Sequence, residues 1–364
     1  MRILHLITDT DRRGAQVFAT HLARALDVLG HTDTVVALTA GTAPGGLDVV
    51  VLGRAMPGEH HRMQGRWSPA TLRALRRAMF EHDITVAHGS STLLACAIAG
   101  GGRRRPFVYR QVSDPTVWAA SLPRRVRVAA ALRRARLVVA LADATAAAVT
   151  DHLRVPPDRV RVIPNGFPGD WFAPATEPAR AAARARFGPT EHDRVVATVG
   201  SLAPEKRVAW TIEAATAAGA RLLVAGDGPE RDAVRRAADD TAVLLGQVDD
   251  VRPVYAAADV VVLASATESM PGTLIEAGLS ARPVVATRVG AVPEIVVDAQ
   301  TGRLVDADDR SAFVAAVADL LDAPPATRAA FGAAARQRCI ARFDLGTVAR
   351  LWADALGEAV AGVG

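Results

Sequence analysis

Short apolar runs alternate with longer stretches in which apolar residues recur every third or fourth position. Arg2–Ile7 is such a run, followed by a polar turn ending at Gly14; Val17, Phe18, Leu22, Leu26 and Leu29 then recur at helical spacing up to Gly30. Thr34–Leu38, Val49–Leu52, Ile84–Ala87, Phe107–Tyr109, Leu137–Ala140 and Val160–Ile163 predict buried strands, several of them separated by helical stretches. Short apolar strands between helices predict a parallel, doubly wound α/β sheet, because helices cover both of its faces. A Pro- and Gly-rich stretch from Pro164 to about Pro189 breaks the pattern. It restarts with Val195–Val199, Leu222–Ala225, Val243–Leu245, Val260–Leu263 and Val284–Ala286. Two Rossmann-like domains facing a cleft are therefore expected, residues 1–166 and residues 167–345. A last helix, within 346–364, is expected to return to the first domain. In open parallel sheets ligands bind beyond the carboxyl ends of the strands, so the loops there are the places to look for chemistry.

A length of 364 residues also suits two domains of ordinary size. Half the residues are hydrophobic and 22% are charged, which excludes a disordered chain. No apolar run approaches the roughly 20 residues of a membrane span, and residues 1–8 read as a strand rather than a secretory signal. The two cysteines, Cys96 and Cys339, are too far apart in sequence to suggest a metal site or a disulfide framework. A cytoplasmic protein is the expectation. Charge is placed unevenly: residues 1–166 hold 23 arginines against 12 acidic residues, and the remainder holds 20 basic against 26 acidic. Arg103 to Arg136 concentrates ten arginines against one acid, Asp114. This belt allows weak peripheral contact with an anionic membrane face, or an anionic acceptor. Nucleic acid is not expected, since aromatics are only 4% and no binding motif appears.

Among 43 basic residues one is a lysine, Lys206, at the end of Gly200-Ser-Leu-Ala-Pro-Glu-Lys206. The loop follows a strand and precedes a helix, so a compact ammonium there suits a diphosphate. A solvated helix-start lysine is the ordinary alternative. Glu268-Ser-Met-Pro-Gly-Thr-Leu-Ile-Glu276 spaces two carboxylates between a strand and a helix beginning near Gly272. Glu276 suits the paired hydroxyls of a ribose, and free amides around Gly272 and Thr273 suit a phosphate at a helix start. Taken alone, Thr273 to Glu276 also fits a capping box. The turns at Gly14 and Ala225-Gly-Asp-Gly-Pro229 are weaker signals.

Together these segments resemble the retaining glycosyltransferases of family 4, which have the two-domain GT-B fold. The resemblance rests on Ile163-Pro-Asn-Gly166, Val199 to Lys206, Val224 to Pro229, Leu245-Gly-Gln-Val248, Ala258 to Ser265, Glu268 to Gly278 and Val289 to Glu294. It covers the whole second half, and the first half more loosely. It implies that Glu276 holds the donor's ribose, Lys206 neutralises the diphosphate, and Glu268, Met270, Pro271, Gly272 and Thr273 face the donor sugar. Gly200 and Ser201 would line the phosphates, Gly246, Gln247 and Val248 would lie near the base, and Gly14 would approach the phosphates from the other domain. It also implies retention of anomeric configuration by front-face substitution through a short-lived oxocarbenium-like species. The departing phosphate would take the acceptor's proton, with no cofactor beyond the nucleotide-diphosphate sugar and no metal.

The chain departs from the family in several places. Ser201 stands where many relatives carry arginine, leaving Arg12, Arg13 or Arg207 as substitutes. The strand end at Arg110-Gln-Val-Ser-Asp114 lacks the histidine of many relatives, which makes Arg110 and Asp114 acceptor candidates. His88, at another strand end, is a candidate contact to acceptor or donor sugar, or else a satisfied strand-end histidine. Asp9 and Asp11 form an Asp-x-Asp, expected to cap the following helix rather than bind metal. Two rival functions stay open: a sugar-nucleotide epimerase of similar layout, and a non-catalytic nucleotide-sugar binding protein. The base, sugar and acceptor are not legible.

Overall fold

The computed structural model describes residues 1–42, 45–53, 67–100, 105–112, 114–238 and 241–361. It divides into two compact units, one formed by residues 1–166 with 345–364 and the other by residues 167–344. Arg103 and Arg104 of the basic belt lie outside the described residues.

Unit 1 contains β1 (Arg2–Asp9), α1 (Gly14–Val28), β2 (Thr32–Thr39), β3 (Val50–Val51), α2 (Pro69–Glu81), β4 (Ile84–His88), α3 (Ser90–Ala99), β5 (Phe107–Gln111), α4 (Pro115–Trp118), α5 (Leu122–Leu132), β6 (Leu137–Ala140), α6 (Asp143–Leu153) and β7 (Val160–Val162). The strands form one parallel sheet in the order β3-β2-β1-β4-β5-β6-β7. Its central strands are buried on both faces, as their unbroken apolar runs predict. Residues 49–52 are an exception. The strand there shortens to two residues at the sheet edge, and Val50 is 63% exposed. Apolar residues alone could not distinguish this edge from a core strand.

Unit 2 contains α7 (Glu177–Phe187), β8 (Val195–Val199), α8 (Val208–Ala217), β9 (Arg221–Ala225), α9 (Arg231–Ala237), β10 (Ala242–Gly246), α10 (Arg252–Ala257), β11 (Val260–Leu263), α11 (Gly272–Leu279), β12 (Val284–Thr287), α12 (Val292–Ile295), β13 (Gly302–Val305), α13 (Arg310–Asp322) and α14 (Pro325–Phe343). Its parallel sheet runs β10-β9-β8-β11-β12-β13. The order reverses direction between β8 and β11, as it does between β1 and β4 in unit 1. Loops leaving two such strands diverge and open a crevice at their carboxyl ends.

Helix α15 (Leu345–Ala361) belongs to unit 1. Its residues Val348, Trp352 and Leu356 are fully buried in one cluster with Phe18 and Leu22 of α1 and Val108 of β5. Removing large apolar surfaces from water in this way contributes about 1.5–3 kcal/mol per side chain. Among the described residues, no helix is long and apolar enough to cross a membrane.

Candidate functional site

The crevice at the carboxyl ends of β8 and β11 gathers most of the singled-out residues of the second half. After β8 the chain turns at Gly200, whose φ of +148 is open to glycine and hostile to other residues. The turn lies against the next one: a Cβ at Gly226 would stand 1.7 Å from the Gly200 carbonyl oxygen, so the close approach requires glycine at 226. The Gly200 amide donates to the Ala225 carbonyl at 2.9 Å, and that of Gly226 to Gly246 at 2.8 Å. A short 3₁₀ turn, Pro204–Lys206, then brings the lysine to the crevice, whose lining includes Val199, Gly200, Ser201 and Lys206.

Lys206 Nζ donates to Glu268 Oε1 at 2.5 Å. Ser265 Oγ donates to the same oxygen at 2.7 Å. The Ala266 amide donates to the Glu205 carbonyl at 2.7 Å, tying the β8 and β11 loops together. Behind them, the loop at Gly290 leaves no room for a Cβ, which would meet the Glu268 carbonyl oxygen at 1.7 Å. Lys206 is therefore not a solvated helix-start lysine: its side chain is 23% exposed and held by a carboxylate that is 9% exposed.

Helix α11 begins at Gly272 with Pro271 as its N-cap, and no side chain caps its first amides. Thr273 and Glu276 do not form the capping box. Thr273 Oγ1 donates instead to the Val199 carbonyl at 3.0 Å, anchoring the helix start to the end of β8. Glu276 Oε2 accepts a hydrogen bond of 2.6 Å from the hydroxyl of Tyr255 on α10. Burial raises the Glu276 carboxyl pKa, and the tyrosine hydrogen bond opposes that rise. Tyr255 is fully buried, and its phenol is pushed well above its ordinary pKa by burial and then by the neighbouring Glu276 charge. Sequence reading missed Tyr255, because nothing local in Val254-Tyr255-Ala256 marks a partner 21 residues downstream.

The remaining second-half candidates are spread more widely. Met270 is turned inward and 7% exposed. Gly246, Gln247 and Val248 close β10, two strands from β8 and so about 10 Å away at ordinary strand spacing. Arg207, a suggested replacement for a guanidinium at Ser201, points elsewhere: it donates to the Ala307 carbonyl and to Asp308 Oδ1 and lies over Trp210. Arg13 is likewise held by Asp9 Oδ2 at 2.5 Å.

In unit 1 the candidates do not form one open constellation. His88, 2% exposed, sits under Phe18 and Trp352 with Nε2 3.1 Å from His5 Nδ1, and His5 Nε2 lies 2.6 Å from Asp33 Oδ1. Desolvation, with the charges of His5 and Arg110 beside it, holds the His88 imidazole well below its usual pKa and neutral. His88 ends β4, as its place in the sequence predicts, and is buried there, its Nδ1 without a hydrogen-bond partner among the described residues. Arg110 is 1% exposed, hydrogen-bonded to Asn165 and 4.0 Å over the Phe18 ring, and burial lowers its pKa to about 9. Asp114 Oδ1 accepts from the amide and hydroxyl of Thr116, so it caps the short helix α4. Asp9 is not the expected helix cap. Arg13 holds that position on α1, while Asp9 accepts from the Asp11 amide, from Gln16 and from Arg13. Gly14 opens α1, and a Cβ there would meet no protein atom within 4 Å.

Similarity to known proteins covers both units. Residues 12–171 match the family described as Glycosyltransferase Family 4, and residues 193–323 the family described as Glycosyl transferases group 1. D-inositol 3-phosphate glycosyltransferase of Corynebacterium glutamicum (strain R) is 34% identical over 189 residues, 47% of this chain and 45% of that protein. Alpha-maltose-1-phosphate synthase of Mycobacterium tuberculosis (strain CDC 1551 / Oshkosh) is 32% identical over 251 residues, 62% and 63% of the two chains. The chain spans about half the length of the first of these curated relatives. Among solved structures, Anabaena HepE in complex with UDP and glucose superposes with a TM-score of 0.84 at 23% identity, covering 98% of this chain and 100% of that one. The lipopolysaccharide glycosyltransferase WaaG gives 0.72 at 19% identity, covering 97% and 98%.

Proposed function

Because the chain belongs to the family 4 glycosyltransferases, we propose that it moves a glycosyl group, with retention, from a nucleotide-diphosphate sugar to a hydroxyl acceptor. One observation carries the reading: the crevice between β8 and β11 gathers an ammonium, two carboxylates and an uncapped helix start. Lys206 holds the diphosphate and steadies its charge as the sugar departs, which is where fixed charges act most strongly in catalysis. In the absence of ligand Glu268 holds that ammonium ready. On donor binding the ammonium is shared with phosphate, and the second oxygen of Glu268 is free for a sugar hydroxyl. Glu276, oriented through Oε2 by Tyr255, offers Oε1 to the ribose. The uncapped amides of Gly272 and Thr273 donate to a phosphate oxygen. The departing phosphate takes the acceptor's proton, so none of the chain's own groups has to serve as a base.

Relatives named as an inositol-phosphate glycosyltransferase and a maltose-phosphate synthase support glycosyl transfer, and a neighbour holding UDP and glucose supports this donor class. The test is a thermal-shift screen of the purified chain against UDP-, GDP-, ADP- and TDP-sugars, since a ligand that binds only the folded state raises its melting temperature. Transfer to a panel of hydroxyl acceptors follows, with and without chelator. At least one nucleotide sugar should shift the melting temperature and be consumed in chelator. Indifference to all four classes overturns the proposal.

A further inference from the structure

A groove of about 620 Å³ opens on unit 1 between α3 and α5. Much of its lining is apolar. Leu94 and Ile98 of α3 line it together with Val128 of α5, and Trp67 and Trp118 take part as well. The helical spacing accounts for these stripes, and small residues at Ala97, Ala130 and Ala131 leave the space open. Ile98 is 54% exposed, and Leu122 and Val126 on α5 are each 60% exposed.

Among the described residues, the charged side chains that line the groove are all of one sign. Its charged lining residues are Arg124, Arg127 and Arg134, with no carboxylate among the described residues. Arg134 spends one N–H on the Ala97 carbonyl at 2.6 Å, and Arg124 lies 5.7 Å from the Trp118 ring. Arg124 and Arg127 have no acidic partner among the described residues. The indole N–H of Trp118 is buried without a hydrogen-bond partner there. Helix α3 starts after Gly89, at φ +92, without a capping side chain, and Ser90 and Ser91 of its first turn also line the groove. Only Gly89 separates that end from the last residue of β4, at the carboxyl edge of the sheet. An apolar channel that offers N–H donors and positive charge but no negative charge fits a ligand with a hydrocarbon body and an anionic head.

We propose that this groove binds a lipid-type phosphate, its chain lying along Leu94, Ile98 and Val128 and its phosphate paired with Arg124 and Arg127. The acceptor class it implies is a hydroxyl compound carried on such a lipid. That role rests on the transferase reading; the binding itself does not.

The test titrates the full chain with dodecyl phosphate below its micelle concentration, read by tryptophan fluorescence with a bromine-labelled analogue as quencher. Saturable quenching is expected. Joint Arg124→Glu and Arg127→Glu substitution should weaken it at least tenfold, and Ala130→Leu, which fills the groove, should weaken it without reversing charge. If the double variant does not fold, Arg127→Gln at an exposed position should still weaken binding several-fold. Equal binding of dodecyl maltoside, equal competition by inorganic phosphate, or attachment to phosphatidylglycerol vesicles without monomer binding would each overturn the proposal. Nucleotide-sugar thermal shifts on the same samples separate the readings. Loss of amphiphile binding alone counts against the groove, and absence of donor binding alone against the transferase.

Discussion

The two sheets share a strand order through their first six strands, yet the side chains around their reversal points differ. Beyond β8 and β11 the charged groups stand on loops, partly open, and pair with one another as Lys206 does with Glu268. Within β1, β2 and β4 of unit 1 a polar chain from Asp33 through His5 to His88 is buried, while on the loop after β1 the 57% exposed Arg13 pairs with Asp9. The fold supplies the same strand reversal twice, and the side chains around each one differ. On this contrast, changes in unit 2 should strike turnover and spare stability, while changes to the unit 1 cluster should strike stability first.

The largest effect is expected at Lys206. Lys206→Ala should lower kcat by about 10²-fold or more, roughly 3 kcal/mol of lost transition-state stabilisation. Its melting temperature should stay near that of the parent, because the crevice is partly open. A large fall in melting temperature with unchanged kcat would make the ion pair a structural device and erase the contrast. Next comes Glu276→Ala, expected to weaken donor binding by about 2 kcal/mol while leaving the rate at saturation closer to normal, as for a lost charged hydrogen bond. Calorimetry with the donor found in the screen checks it. Tyr255→Phe should follow the same direction at about 1.5 kcal/mol. Without the phenol, the Glu276 carboxyl is raised further above its ordinary value, so donor affinity should recover as pH rises. Recovery toward lower pH instead would show that Glu276 acts protonated.

Much of this contrast was legible before the structure, for identifiable reasons. The central strands announced themselves because burial on both faces demands unbroken apolar runs. Lys206 stood out because every other basic residue is arginine. What escaped notice depends on edges and on distance along the chain. β13 was missed because Gly302–Val305 is a short edge strand carrying the exposed Arg303. Tyr255 and the His5–Asp33 pair escaped because their partners meet only through tertiary packing. Thr273 and Glu276 matched a capping box in spacing, and the structure gives each a more distant partner.

The unit 1 cluster can be tested by pH. The unfolded chain's His88 takes up a proton as pH falls through about 6.5, whereas the folded imidazole resists it far lower. The unfolded state therefore binds more protons in that window, and stability falls as pH drops below it, by up to about 1.4 kcal/mol per pH unit for one group. His88→Gln should reduce that slope in urea melts between pH 7 and pH 5. An unchanged slope would show that the cluster does not hold this histidine neutral. A His88→Gln variant of normal stability that no longer transfers sugar would instead place chemistry at the unit 1 edge.

Gly14→Ala is expected to have the smallest effect on stability and makes the sharpest discrimination for that reason. An added methyl there meets no protein atom within 4 Å, and the position has no left-handed backbone to strain. Inside a first helical turn alanine is favoured over glycine by up to about 1 kcal/mol, so the variant should melt at or slightly above the parent temperature. The uncapped amides of α1 remain available, and the only thing lost is room for a ligand to approach the backbone. Weaker substrate binding in a protein of undiminished stability would therefore place a substrate against this turn and give unit 1 a working surface of its own. Unchanged kcat/KM would leave the proposed chemistry to the β8 and β11 loops, and the contrast between the two edges would stand in its strongest form.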